Sequence, residues 1–160
     1  MPLPRIIEGA SVPLFDRLVD LTLDEKREVP SWRRLSRDET KESVARELAH
    51  LFDARRPEPL EVAAERTDLT VLDYGIPDYG NRSPADAFSR RLYERAIQRA
   101  IAAFEPRLIG PEVELEIVSG RPSMLRALIT GVLATGDIVE PVSFEIDLGA
   151  RRAAEVEVGE

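Results

Sequence analysis

The chain has 160 residues, 43% of them hydrophobic and 32% charged, a balance that suits one folded domain with a substantial core. It has no cysteine and a single histidine, which excludes disulfides, thiolate metal sites and a cysteine nucleophile. The net charge of −8 argues against nucleic acid as a partner, because phosphate neutralisation needs clustered positive charge.

Residues 1–35 read as an arm laid over a surface. Leu14, Phe15, Leu18, Val19 and Leu21 can share one face of a short helix after Pro13. The opening Met1-Pro2-Leu3-Pro4-Arg5 carries no apolar signal core. No apolar run approaches the roughly 20 residues of a membrane helix, so a cytoplasmic protein without membrane insertion is expected.

Residues 36–160 read as a single α+β domain. Ser36 opens the first helix, and Glu39 three residues later completes a capping box in which each side chain satisfies a free amide of the other. Val44, Leu48, Leu51 and Phe52 recur at helical spacing and predict its buried stripe. His50 lies roughly 200° around from Leu48 and is expected to face water. Pro57 and Pro59 end any continuation. The stretch Asp68 to Asp78 reads as a loop broken by Gly75 and Pro77, with Leu72, Tyr74 and Ile76 plugging it into the core.

A second helix is predicted with Ser83 as cap, Pro84 in the first turn and Asp86 at the positive end. Its inward stripe is Phe88, Leu92, Ala96, Ala100, Ile101 and Phe104. Helix stops at Glu105, because the residue before a proline is pushed away from helical geometry.

After Gly110 the apolar period changes from 3.6 to 2. Val113, Leu115 and Ile117 alternate with Glu112, Glu114 and Glu116, which predicts a strand with one wet, acidic face. Residues 124–134 form a more fully apolar strand that belongs inside the sheet. Thr135-Gly136-Asp137 and Pro141 bound the next connection, then Val142, Phe144, Ile146 and Leu148 alternate with polar residues. Residues 154–158 offer a short last strand. The whole is helices followed by an antiparallel meander.

Three arrangements bear on chemistry. The glutamates at 112, 114 and 116 share a face, but a solvated sheet face gives neither member of a pair the raised pKa that acid catalysis of glycoside hydrolysis needs. The single histidine has no Gly-x-Ser-x-Gly elbow to serve, and no calcium loop or His-Glu helical motif is present. No metal, other cofactor or small-molecule substrate is therefore expected. Glu105-Pro106-Arg107 is the third: a stiff exit from a helix flanked by opposite charges. Its side chains are expected at a solvated corner, where an exposed ion pair is cheap for the fold to lose.

Several stretches carry a resemblance. They are Leu14-Phe15-Asp16-Arg17-Leu18, Ser43 to Leu48 with Leu51 to Arg56, Val71-Leu72-Asp73-Tyr74-Gly75-Ile76-Pro77-Asp78, and Glu105-Pro106-Arg107-Leu108. In this order and spacing the sequence resembles TssE, the type VI secretion baseplate subunit, related to the "lysozyme-like" wedge protein of contractile phage tails. Asp73 departs from the asparagine common in that family. The resemblance implies a non-catalytic structural subunit that joins the baseplate wedge to the first ring of the contractile sheath. It implies a fold similar to the strand-exchanging region of a sheath subunit. Its implied partners are wedge proteins of the TssF/TssG-like and TssK-like kinds and sheath subunits, with Glu105, Pro106 and Arg107 docking onto the wedge core. The alternatives are a wedge component of a contractile phage tail or related injection particle, and a peptidoglycan glycosidase.

Overall fold

The capping box forms as the spacing of Ser36 and Glu39 predicts. The Ser36 N–H donates to the Glu39 carboxylate at 2.8 Å, and the Glu39 N–H donates to the Ser36 hydroxyl at 3.3 Å. Helix α1, Arg37–Asp53, follows and buries Val44, Leu48, Leu51 and Phe52, while His50 is exposed. The computed structural model describes residues 9–11, 34–80, 82–148 and, for the backbone alone, 157–159. The segment expected to form a helix near Leu14, and residues 154–156 of the expected last strand, lie outside the described residues.

In chain order the elements are β1 (Ala10–Ser11), β2 (Arg34–Leu35), α1, β3 (Arg55–Arg56), α2 (Leu60–Glu65), a 3-10 turn (Val71–Asp73), β4 (Ile76–Pro77) and α3 (Ala87–Phe104). Strands β5 (Leu108–Ile117), β6 (Leu125–Thr135), β7 (Ile138–Leu148) and β8 (Glu157–Gly159) then make one antiparallel sheet in sequence order. The class is α+β, helices first and a meander after, as the change of period predicts. Two small pairings accompany it: β1 with β2 antiparallel, and β3 with β4 parallel.

The apolar strand faces close on the helices. Leu115, Ala127, Ile129, Val142, Phe144 and Ile146 are buried on the sheet, against Val44 and Leu48 of α1 and Ala96, Ile97, Ala100 and Ile101 of α3. The small side chains Ala63 and Ala64 of α2 let α3 approach closely. β6 runs between β5 and β7 as expected, with Leu125, Ala127, Ile129 and Leu133 buried on one face while Thr130 and Val132 are exposed on the other.

Four expectations are corrected. Ser83 does not cap α3; Asp86 does, accepting from the Phe88 N–H at 3.1 Å, because Ser83 is spent on a preceding turn, its carbonyl accepting from the Asp86 N–H at 2.9 Å and its hydroxyl from the Ala85 N–H at 3.3 Å. The buried stripe of α3 then runs through Ser89, Leu92, Tyr93, Ala96, Ile97, Ala100 and Ile101, and Phe88, one step of roughly 100° away from Ser89, is 68% exposed. Pro141 lies inside β7 and not in a connection. It stands beyond the Ser143–Glu145 span that β8 covers, and among the described residues no strand pairs with that side of β7 there, so the proline costs no ladder between them. Leu72 does not enter the core; it is 92% exposed. Helix α2 was not anticipated, although Leu60, Ala63 and Ala64 carry the spacing for it.

Gly75 is required where it stands. Its φ of 114° is open to glycine, and a Cβ there would lie 2.7 Å from the Ala54 carbonyl oxygen. That contact brings β4 against β3 and fixes the exit of the 70–75 loop.

Candidate functional site

Glu105 is the C-cap of α3, its N–H donating to the Ile101 carbonyl at 2.8 Å. The chain turns at Pro106 into β5, and this turn brings Arg107 back over Glu105. The guanidinium grips the carboxylate bidentately, Nε to Oε1 at 2.8 Å and Nη2 to Oε2 at 2.6 Å. The Arg107 N–H adds a third bond to Oε1 at 3.2 Å, and Nη1 donates to the Ser43 hydroxyl of α1 at 2.9 Å. The Arg107 carbonyl accepts from the Ala134 N–H of β6 at 2.8 Å. The corner therefore ties α1, α3, β5 and β6 together.

The corner is not solvated, and this corrects the expectation from sequence. Glu105 is 3% exposed, and only Pro106 stands fully in solvent while Arg107 is partly covered. A local sequence shows two charges around a proline; it does not show Ser43, 64 residues earlier, closing the cage. Losing one partner of such a pair leaves a desolvated charge, so removal is costly for the fold.

Next to the corner lies a second feature that sequence reading placed wrongly. Tyr74 meets Phe104 edge-on at 5.2 Å between ring centroids. Burial, with the Glu47 and Glu105 carboxylates nearby, pushes the Tyr74 hydroxyl above its ordinary pKa. Two residues before it, Val71 and Leu72 project at 82% and 92% exposure from the 3-10 turn. Two adjacent aliphatic side chains this exposed form an apolar ridge, the kind of feature that marks an interaction surface.

The ridge stands on a braced base. The Asp73 carboxylate accepts from the Thr70 N–H at 2.8 Å and the Thr70 hydroxyl at 2.9 Å. Arg66 holds the same carboxylate with two donors at 2.7 and 3.2 Å and reaches Glu58 and Asp68 as well. The Thr70 bonds first, and Arg66 after them, hold the Asp73 carboxyl below its ordinary pKa. A group depressed in the folded state contributes stability above its unfolded pKa of about 3.9 and loses it as pH falls through the folded value. Thermal melts from about pH 6 down to about pH 3 should therefore show a smaller drop in midpoint for Asp73→Asn than for the wild type. The slope that remains belongs to other depressed carboxyls, Asp86 among them. Equal drops in the two proteins would refute this role for Asp73.

The acidic strand face is an ion-pair ladder. Arg126 stands between Glu116 and Asp147 in register, donating to Asp147 at 2.6 Å and to Glu145 at 3.2 Å. Glu112, Glu114 and Glu116 are exposed on it. No helix among the described residues is long and apolar enough to cross a membrane.

A family model described as baseplate wedge protein gp25 matches residues 38–137, well over half of the chain. The matched span begins in α1, includes the Glu105–Arg107 cage and the 71–74 ridge, and ends at the turn before β7. No curated protein and no solved structure matches the chain.

Proposed function

This chain belongs to the baseplate wedge protein gp25 family, and from that premise we propose that it is the subunit of a type VI secretion baseplate that links the wedge to the first ring of the contractile sheath. Membership makes it a structural component of a contractile injection baseplate, in contact with other baseplate components. The finer reading assigns it wedge partners of the TssF/TssG-like and TssK-like kinds on one side and sheath subunits on the other. It acts by holding surfaces in place and catalyses nothing.

The observation that carries the wedge side is the caged corner beside the apolar ridge. Glu105 and Arg107 satisfy one another almost completely, so their value to a partner is shape: they hold Pro106 out as a rigid knuckle. Tyr74, against Phe104 at the end of α3, and the exposed Val71 and Leu72 of the turn before it add apolar area on the wedge side. A preorganised surface of this kind binds without spending much free energy on ordering itself, and central aliphatic or aromatic anchors commonly dominate such interfaces.

Co-expression with the wedge proteins tests this. Leu72→Asp should keep its thermal midpoint, because a side chain so exposed contributes little to folding. It should weaken capture of the wedge by about thirtyfold or more, the loss expected when an interface anchor is replaced by a charge. Capture at wild-type level by both Leu72→Asp and Pro106→Asp would refute docking through this face.

A further inference from the structure

Arg56 has no place in this docking surface, yet its position is the most costly of any side chain described. It is 4% exposed. None of its three guanidinium nitrogens has a hydrogen-bond partner among the described residues. The nearest carboxylate oxygen, Oε2 of Glu58, stands 3.8 Å from Nη1, too far for a hydrogen bond, and is itself without a partner there. Burial lowers the Arg56 pKa, with Glu58 and then Asp73 pulling it back. Arginine cannot relieve this by losing its proton, so five desolvated N–H donors call for acceptor oxygens.

The same side chain helps to line an open depression of about 600 Å³ between the β3–α2 connection and the segment after β4. Pro57, Leu60 and Tyr79 supply apolar wall, Glu58 and Asp78 two negative charges, and Arg82 the second positive one. Arg82 is already engaged by Glu61 at 2.6 Å. The lining is thus balanced in charge, with one guanidinium fork left over. A dianion would meet Glu58 and Asp78 at close range, whereas a singly charged planar carboxylate matches the fork.

We propose that this depression binds a carboxylate on an aliphatic stem, the aspartate or glutamate side chain of an extended segment of a partner protein, with Arg56 receiving it. Glu58 keeps the fork closed until then. Its Oε1 is held by Arg66 at 3.3 Å, so a small rotation moves Oε2 aside and admits the incoming oxygens without breaking the Arg66 contact. The apolar wall takes the stem. This site is separate from the Glu105 corner and does not depend on wedge docking there.

The test titrates sodium propionate, inorganic phosphate and the capped tripeptides acetyl-Leu-Glu-Leu-amide and acetyl-Leu-Gln-Leu-amide into the isotope-labelled full chain. The Arg56 Nε–H resonance is the readout. Propionate and the glutamate peptide should move it saturably, the peptide at lower concentration; phosphate and the glutamine peptide should not. Glu58→Gln should tighten the glutamate peptide roughly fivefold, the effect of removing one like charge at about 4 Å in water. Arg56→Lys, which keeps the charge but loses the fork and its resonance, should abolish the saturable shift that the glutamate peptide causes at the backbone amides of the lining residues Tyr79 and Gly80. If that variant does not fold, the wild-type resonance and Glu58→Gln still decide. A saturable response to phosphate equal to that of propionate, no response to the glutamate peptide, or an unchanged affinity in Glu58→Gln would each overturn the proposal.

Discussion

Arg107→Ala should lower the thermal midpoint by at least about 6 °C, because breaking a buried ion pair by removing one partner costs about 3–5 kcal/mol and each kcal/mol moves a domain of this size by roughly 2–4 °C. The loss has three parts. Glu105, 3% exposed in the intact cage, keeps a charge that, of its Arg107 partners, only the backbone amide still answers. The Ser43 hydroxyl loses its Nη1 donor at 2.9 Å. The junction of α3 with β5 loses the clamp that sets its angle. Arg107→Lys should fall between the two, since an ammonium keeps the charge but cannot reach both carboxylate oxygens and Ser43 at once. The double variant Glu105→Gln, Arg107→Met should recover much of the loss, because it removes both charges together and fills similar volume. A coupling energy from that cycle, read by denaturant unfolding, isolates the cage from its neighbours. If Arg107→Ala melts within about 1 °C of the wild type, the cage is not the strut described here. Its weight also governs how docking is measured: loss of wedge capture by Arg107→Ala reports folding and binding together, whereas Leu72→Asp reports binding.

Local patterns were readable where a single element decides them. The capping box at Ser36, the stripe of α1, the end of α3 at Glu105 and the alternation of β5 and β7 all follow from spacing along one stretch of chain. What escaped depends on distant residues. Nothing near Glu105 announces Ser43, so the pair read as exposed. Leu72 and Tyr74 read as core plugs alongside Ile76, but only Ile76 is buried; the Thr70–Asp73 box, reinforced by Arg66, turns Leu72 outward instead. Nothing beside Arg56 in the sequence marks it as buried; its burial accompanies the parallel pairing of Arg55 and Arg56 with Ile76 and Pro77. In each case the functional candidate lies where tertiary packing overrode a local rule, as strained or binding sites commonly do.

The sheath side of the proposed role leads to the other large effect: proline in β8 should abolish sheath initiation while leaving the fold intact. β8 is three residues long and pairs with β7 only at Ser143, Phe144 and Glu145. β8 thus covers the middle of the alternating stretch from Val142 to Leu148. Among the described residues nothing pairs with the outer side of β8, and an edge of that kind accepts another strand. Glu145 and Asp147 on β7 make the flank acidic, although Arg126 answers both. A basic strand would complement it and a second copy of this chain would not. Successive amides along a strand point to opposite sides, so Glu157→Pro and Val158→Pro between them remove one amide facing β7 and one facing the open side. The variant that loses the β7-facing amide gives up a single ladder bond, worth about 1 kcal/mol, and the other gives up none that the described residues make. The variant that loses the outward amide should keep its thermal midpoint and its wedge partners yet yield no sheaths by electron microscopy when mixed with sheath subunits. The other should weaken both the β7 pairing and assembly. Sheaths formed in normal number by both variants would rule out strand addition at β8 and move the contact to the uncovered ends of β7, Ile138 to Val142 or Ile146 to Leu148.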